Sequence, residues 1–235
     1  MSSNIPSDDD TIAAIVTAAG EAGISVARLS GTFSLSIADN AFVCNALHPS
    51  RRPSPSLTFG HVVESNGSLI DEAILLIMRA PKSYTREDVV EFQIHGGQMQ
   101  AKRVLQRVLE LGARLARPGE FTQRAFLNGR IDLVQAEAVL DVIRARSERA
   151  AAAALEQLEG KLSSRLNQLY DGLVRIIADL EAGLDFPEDE LQPIQLSELL
   201  ISLSSLVSCA QDIMNTRDEG HILRDGALLV ISGQV

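Results

Sequence analysis

Glu91 is the first residue whose place in the sequence suggests chemistry. It stands in the stretch Asp88–His95, whose apolar and polar residues alternate as they do in a β-strand. A carboxylate there can accept two parallel hydrogen bonds from an amidine-like edge, such as that of a pterin or a guanine ring. The competing interpretation puts Glu91 on the solvent-facing side of an edge strand.

Arg28 is the second candidate, because it lies between Val26 and Leu29 on another predicted strand. A guanidinium group in apolar surroundings is unfavourable unless it is paired. Arg28 therefore either pairs within the fold or meets a carboxylate of a ligand.

Arg130 is the third candidate and belongs to a polar stretch, 117–139. Pro118-Gly119 predicts a turn, Thr122–Leu127 a short helix, and Asn128-Gly129 a second turn that presents Arg130. Polar groups at this density either line a pocket or fix a junction between domains, and both interpretations stay open.

Other reactive patterns are weaker. His95-Gly96-Gly97 lies where a strand turns into a helix, so its amides either hold an anion or make a tight turn. No nucleophilic triad, metal-spaced cluster or G-x-x-x-x-G-K-[ST] phosphate loop occurs in the sequence. We therefore assign no catalytic residue and no metal ligand.

Cys44 and Cys209 are far apart and indicate free thiols in a reducing compartment.

The elements that position these residues change character near residue 120. Before it, strands and helices are mixed, which indicates an α/β or α+β domain. The predicted strands are Thr11–Ala18, Ile24–Leu29, a hairpin of Leu57–Glu64 and Leu69–Ala80 about Asn66-Gly67, and Asp88–His95. The predicted helices are Thr32–Ala46 and a segment around Val104 that ends at Gly112.

Helical patterns dominate after Pro118. Asp132 is placed to cap a helix that buries Val134, Ala138 and Ile143. Residues 148–184 then carry leucine or isoleucine at steps of three and four, which predicts one long helix. Its stripe is either the core of a helical bundle or a dimer seam. A further helix is expected from Ser197 to about Arg217.

Composition and charge restrict the class of protein. The net charge is −10, and most of the negative charge falls after residue 120. Because a phosphate backbone repels a negatively charged surface, this chain alone is a poor candidate for tight binding to nucleic acid. The longest apolar run is far shorter than the roughly 20 residues that cross a bilayer. We expect a soluble cytoplasmic protein without a membrane partner.

Three strings of the sequence resemble one known family. They are SYTREDVVEFQIHGG, ARPGEFTQRAFLNGRIDLVQAEAVLDVI and LDFPEDE, and together they are similar to the N-terminal and helical regions of the MnmE (TrmE) tRNA-modification GTPases. The resemblance implies an α+β chain: a mixed α/β folate-binding domain followed by an all-α helical domain. The expected divisions are a disordered tail (1–10), the folate-binding domain (11–120), part of the helical domain (121–226) and a first GTPase strand (227–235).

The resemblance also implies a function. The first domain would dimerise and bind a 5-formyl-tetrahydrofolate-type one-carbon donor, with Arg28, Glu91 and Arg130 on the family's folate-contacting positions. The family commonly has lysine at the third position, so the donor geometry is altered here while the charge is kept. A Ras-like domain would hydrolyse GTP with magnesium and potassium. With the flavoprotein MnmG (GidA), the family modifies the wobble uridine of certain tRNAs.

The chain is expected to be truncated before that GTPase domain. The apolar strand Ala227–Ser232 runs into Gly233, and the phosphate loop does not follow. A helical dimerisation scaffold without a working folate site is the alternative function. A stand-alone folate-dependent aminomethyltransferase is less favoured, because that class needs a catalytic acid beside the folate and usually a larger chain.

Overall fold

Seven strands form one mixed sheet in the first part of the chain. The computed structural model describes residues 10–45, 47–185, 196–216, 220, 230 and 232–233. The strands are β1 (Ile12–Ile15), β2 (Ile24–Ser30), β3 (Phe42–Val43), β4 (Ser56–Val63), β5 (Leu69–Met78), β6 (Val89–His95) and β7 (Arg114–Leu115). Their order is β3-β4-β5-β6-β2-β1-β7, and neighbours are antiparallel except for β1 with β7.

The helices of this part are α1 (Ser34–Ala41), α2 (Gln98–Glu110) and α3 (Glu120–Leu127), with a short 3-10 turn at Pro49–Arg51. Helices α1 and α2 pack against the sheet and close one hydrophobic core over it. Its largest fully buried side chains include Leu29, Leu75, Ile77, Phe92 and Val104. Burial of side chains of this size, at about 1.5–3 kcal/mol each, is the main stabilising term of the sheet.

The predicted hairpin is confirmed. Strands β4 and β5 pair along their length, and Gly67 makes the turn with a φ of 83°. The amide of Glu64 donates to the carbonyl of Ser68 at 2.9 Å, which closes the turn.

The helix predicted over Thr32–Ala46 is too long. Helix α1 ends at Ala41, and Phe42 takes an extended conformation that begins β3. Phe42 is buried against Phe92, with ring centroids 6.4 Å apart in an edge-on arrangement. Packing of an aromatic side chain into the sheet core outweighs local helix propensity here. Gly60 on β4 provides the space for the Phe42 ring, because a Cβ at this position would overlap that ring.

The chain divides into two units, residues 1–131 and 132–235. The second unit is helical, so the structure has the α+β class expected from the sequence. Its helices are α4 (Leu133–Arg144), α5 (Glu148–Leu158), α6 (Lys161–Asp185) and α7 (Leu196–Asn215). Helix α3, which the sequence division at residue 120 gives to the helical domain, belongs to the first unit.

The Asp132 cap is confirmed. Its side chain accepts from the amide of Gln135 at 2.9 Å, and the Gln135 side chain accepts from the amide of Asp132 at the same distance. This reciprocal pair satisfies two amides that the first turn of α4 leaves unpaired. Ala138 is buried as expected, but Ile143 is 73% exposed, so its predicted burial is wrong.

The single helix predicted over 148–184 is two helices. Gly160, with a φ of 86°, ends α5 and lets α6 begin at Lys161. A left-handed glycine is a common end of a helix, and the leucine spacing that continues across it hides the break. The stripe is only partly covered: Leu158, Leu162 and Leu169 are half-buried, whereas Leu166 and Leu173 are exposed.

Two expected segments fall outside the described residues. They are the tail 1–10, except for Asp10, and the strand 227–235, of which only 230, 232 and 233 are described. Among the described helices, none has the length and hydropathy needed to span a membrane.

Candidate functional site

Arg28 and Glu91 face each other across two neighbouring strands. They are register partners in the β2–β6 pair, and Arg28 Nε donates to Glu91 Oε1 at 2.7 Å. Strand β6 lies between β5 and β2, so the interpretation of Glu91 as part of an edge strand is wrong. Glu91 is only 8% exposed. A carboxylate buried to this extent needs a cationic partner, and Arg28 is that partner.

Tyr84 joins this pair to Arg130. The Arg130 guanidinium carbon lies 4.7 Å from the centre of the Tyr84 ring, and that of Arg28 lies 5.5 Å from it. Arg130 Nη1 also donates to the Tyr84 carbonyl at 3.0 Å. Cations over an aromatic face are attracted by its quadrupole. Arg28 and Arg130 thus meet at one tyrosine, and Glu91 is joined to them through its hydrogen bond with Arg28.

Helix α3 contributes the residues on the other side of Arg28 and Tyr84. The Arg28 guanidinium carbon is 5.5 Å from the centre of the Phe121 ring, and Tyr84 Oη lies 3.0 Å from Thr122 Oγ1. Tyr84 and Phe121 were not predicted as site residues. A usable signal exists for Tyr84, which is one of two tyrosines in the chain and shares the polar stretch 81–97 with Glu91.

A network of ion pairs holds α3 in place. Arg114 makes two hydrogen bonds to Glu120, of 2.7 and 3.2 Å, and the amide of Arg117 donates to the same carboxylate at 2.7 Å. Burial acts to raise the pKa of Glu120, but these hydrogen bonds and the charge of Arg114 outweigh it and lower that pKa to about 2. The carboxylate is therefore ionised at neutral pH and anchors the turn before α3.

Asp10 and Arg124 extend this network. Asp10 pairs with both Arg114 and Arg124, and Arg124 also donates to Glu87 at 3.1 Å. Burial opposes ionisation of Asp10, but hydrogen bonds from the two arginines lower its pKa on balance. The polar residues of 117–130 therefore make contacts within the first unit and also border Tyr84, as the pocket interpretation expects, whereas a junction between domains stays a prediction.

His95 has a structural partner rather than a place in this site. Its Nδ1 lies 2.7 Å from Asp71 Oδ1, and this hydrogen bond raises the pKa of His95. The glycines after it make close contacts. A Cβ on Gly96 would overlap the carbonyl of Ala22, and the Gly96 amide donates to Gly23. These contacts favour the tight-turn interpretation over the anion site.

Two open cavities flank the loop between β5 and β6. One of about 500 Å³ is lined by Met78, Pro81, Lys82, Ser83, Tyr84, Arg86 and Arg130. The other, of about 600 Å³, is lined by Thr32, Ala80, Pro81, Arg86, Glu87, Asp88 and Asn128. Arg86 borders both and has a φ of 60°, an uncommon backbone conformation for a residue with a side chain.

Comparisons with known proteins cover both units. A family model described as "GTP-binding protein TrmE N-terminus" matches residues 11–130, and one described as "MnmE helical domain" matches 133–228. A tRNA modification GTPase MnmE from Symbiobacterium thermophilum is 46% identical over 227 residues, covering 96% of this chain and 50% of that protein. The protein of the same name from Geobacter sulfurreducens is 47% identical over 229 residues, covering 96% and 49%. The chain spans about half the length of the curated relatives it matches.

Proposed function

The chain belongs to the MnmE (TrmE) family, and we propose that its first unit binds a reduced folate of the 5-formyl-tetrahydrofolate type. The observation that carries this proposal is that Arg28 and Arg130 both lie beside the Tyr84 ring, while Arg28 also pairs with Glu91. These residues come from separate stretches of the chain, and each has the chemistry that one part of a folate requires.

Glu91 fits the pterin end. A pterin presents an amidine-like edge with two parallel donors, and a carboxylate is its matching acceptor. Glu91 Oε1 accepts from Arg28, and no hydrogen-bond partner of Oε2 is found within the described part of the chain. Arg28 thus holds the carboxylate in one orientation and leaves it acceptor capacity for a ligand.

Tyr84, Phe121 and Arg130 fit the remainder of the ligand. The rings of Tyr84 and Phe121 lie beside the Arg28 guanidinium and place apolar surface next to the Arg28–Glu91 pair, and Arg130 offers a guanidinium for the carboxylate end. A bound tetrahydrofolate would supply a one-carbon unit. The residues of this chain would bind it, orient it and exclude water from one of its faces.

Thermal unfolding tests the folate proposal. A reduced folate that binds only the folded chain raises its melting temperature. Glu91→Gln keeps the size of the side chain but cannot accept both donors of the pterin edge, so it removes this rise. Glu72→Gln is the matched control, because Glu72 is exposed on the neighbouring strand β5.

We also infer that the first unit forms a homodimer, as the family resemblance implies. Strands β4 and β5 support this inference, because Leu57, Phe59 and Ile74 lie on one face and are exposed, Phe59 by 64%. Neighbouring exposed apolar side chains of this size mark interaction surfaces. Phe59→Asp is expected to shift sedimentation from dimer to monomer.

The alternative function, a helical dimerisation scaffold without a working folate site, draws support from the exposed leucines of α6. It predicts a concentration-dependent dimer whose sedimentation and melting temperature do not respond to folate. A folate-dependent rise in melting temperature would exclude it.

For the whole protein we propose the activity that its relatives' names carry, GTP hydrolysis in tRNA modification. The sequence here contains no phosphate loop, so we propose GTP binding with magnesium and potassium for a separate Ras-like domain. MnmG and tRNA are the proposed partners, and the cytoplasm is the proposed location. Potassium-dependent GTP hydrolysis by a longer form, absent from residues 1–235 alone, tests this assignment.

A further inference from the structure

Three cations line the cavity of about 500 Å³ beside Tyr84. They are Lys82, Arg86 and Arg130, and its lining contains no carboxylate. None of the three forms a salt bridge with an acidic side chain in the described ranges. The chain as a whole has a net charge of −10, so this is a local reversal of its charge. Such a cavity attracts anionic groups.

Backbone carbonyls orient two of these cations. Arg86 Nη1 donates to the carbonyl of Asn128 at 3.1 Å, and Arg130 Nη1 donates to that of Tyr84 at 3.0 Å. A carbonyl takes up one donor of a guanidinium without neutralising its charge. The remaining donors and the full positive charge are therefore available to a ligand.

Arg86 keeps its side chain at some backbone cost. Its φ of 60° lies in the left-handed region, where glycine is the residue without strain. Strained backbone conformations persist in folded proteins at ligand-binding positions. The Arg86 side chain at this position both contacts the Asn128 carbonyl and lines the cavity.

Tyr84 connects the cavity to the proposed folate site. Its ring neighbours Arg28, the partner of Glu91, and it also lines the cavity with Arg130. Because Tyr84 lines the cavity together with Lys82 and Arg86, a ligand whose middle lies beside Tyr84 has these two cations within the same cavity. The far end of a folate is a glutamate, and each further γ-linked glutamate adds one carboxylate.

We propose that this cavity binds the oligo-γ-glutamyl tail of the folate, so that the site prefers polyglutamylated over monoglutamylated folate. This inference rests on the proposed function. Lys82 and Arg86 pair with the added carboxylates, and Arg130 pairs with the first glutamate. Each exposed ion pair contributes modestly, so two extra pairs make a triglutamate bind about fivefold to tenfold more tightly at low salt.

The test compares dissociation constants of 5-formyl-tetrahydrofolate monoglutamate and triglutamate for the full chain by calorimetry. We expect the preference to fall to less than about twofold in the double variant Lys82→Gln/Arg86→Gln, while monoglutamate affinity changes little. The preference should also shrink at high salt, which screens exposed charges. The double variant Arg51→Gln/Lys102→Gln is the matched control, because both residues are exposed and lie outside the cavity lining.

Equal affinity of the unaltered chain for the two ligands overturns the inference, as does a preference that survives in Lys82→Gln/Arg86→Gln. If monoglutamate binding depends on Glu91 but triglutamate has no advantage, this inference fails and the proposed function stands. If neither ligand binds, both fail. Binding of a short RNA hairpin through Lys82 and Arg86, without a triglutamate preference, would also overturn it.

Discussion

The first unit contains two clusters of arginine that are built in opposite ways. On one side of α3, Arg114 and Arg124 meet the carboxylates of Asp10, Glu87 and Glu120. At the Tyr84 cavity, Arg86 and Arg130 meet backbone carbonyls and an aromatic ring. Carboxylates neutralise the first cluster, which stabilises the fold. The second keeps its charge, which makes it suitable for a ligand.

Removal of a carboxylate from the neutralised cluster has the largest expected effect. Glu120 is 2% exposed, and Glu120→Ala leaves Arg114 without its bidentate partner. Arg114 keeps its pairing with Asp10 and is 37% exposed, so loss of the buried Glu120 carboxylate is expected to lower the free energy of unfolding by about 2–3 kcal/mol. Urea denaturation of the variant and the unaltered chain measures this change in the free energy of unfolding. Arg130→Gln, a change in the other cluster, should alter the same quantity by less than about 0.5 kcal/mol. Similar losses in both would contradict the distinction.

Acid should weaken the neutralised cluster selectively. The pKa of Glu120 is about 2 in the fold against 4.5 unperturbed. A lowered carboxyl pKa gives stability that is complete above the unfolded pKa and is lost as pH falls through the folded pKa. We therefore expect a loss approaching about 3 kcal/mol between pH 4.5 and pH 2.

Unfolding by urea at a series of pH values measures that loss. In Glu120→Gln the Glu120 contribution is absent, so the curve should be flatter over this window. An identical pH slope in the variant would assign the loss to other carboxyls.

Substitution of Tyr84 should affect ligand binding more than stability. Tyr84→Leu removes the ring that lies beside both Arg28 and Arg130, and we expect affinity for a reduced folate to fall about tenfold. Tyr84→Phe keeps the ring and loses only the Thr122 contact, so it should stay within about threefold. Calorimetry measures both constants. Equal losses in the two variants would mean that the hydroxyl, not the ring, is required.

The smallest effect concerns the backbone of Arg86. Arg86→Gly and Arg86→Ala remove the same side chain, but only glycine relieves the φ of 60°. The glycine variant should therefore be more stable than the alanine variant by about 1 kcal/mol. Thermal unfolding of the pair checks this value. Equal stability would remove the argument that Arg86 is kept at a strained position.

Many elements of the first unit could be predicted, because the local sequence patterns agree with the side chains that the fold buries. The alternation around Glu91 and the Asn66-Gly67 turn each have a local physical cause, and each is present in the structure; the same holds for the Asp132 cap of the second unit. Arg28 and Glu91 could be selected because charge within an apolar strand requires a partner. Their pairing with each other depends on strand order, which no local pattern contains.

Other features escaped prediction for the same reason. Tyr84 lies in a polar loop without periodicity, and its role appears only when the fold brings Arg28 and Arg130 to it. The exposure of Ile143 could not be read from helical spacing, because spacing defines a face but not whether anything covers it. The leucine pattern likewise continues across Gly160 and conceals the end of α5.

Titration calorimetry of the 235-residue chain with 5-formyl-tetrahydrofolate tests the central claim most directly. We predict one site per chain with a dissociation constant of tens of micromolar or lower, which corresponds to a binding free energy of about −6 kcal/mol or more negative. Binding should be lost in Glu91→Gln and kept in Glu72→Gln. No heat with the unaltered chain, or unchanged binding in Glu91→Gln, would contradict the assignment of Arg28, Glu91 and Arg130 as the folate site.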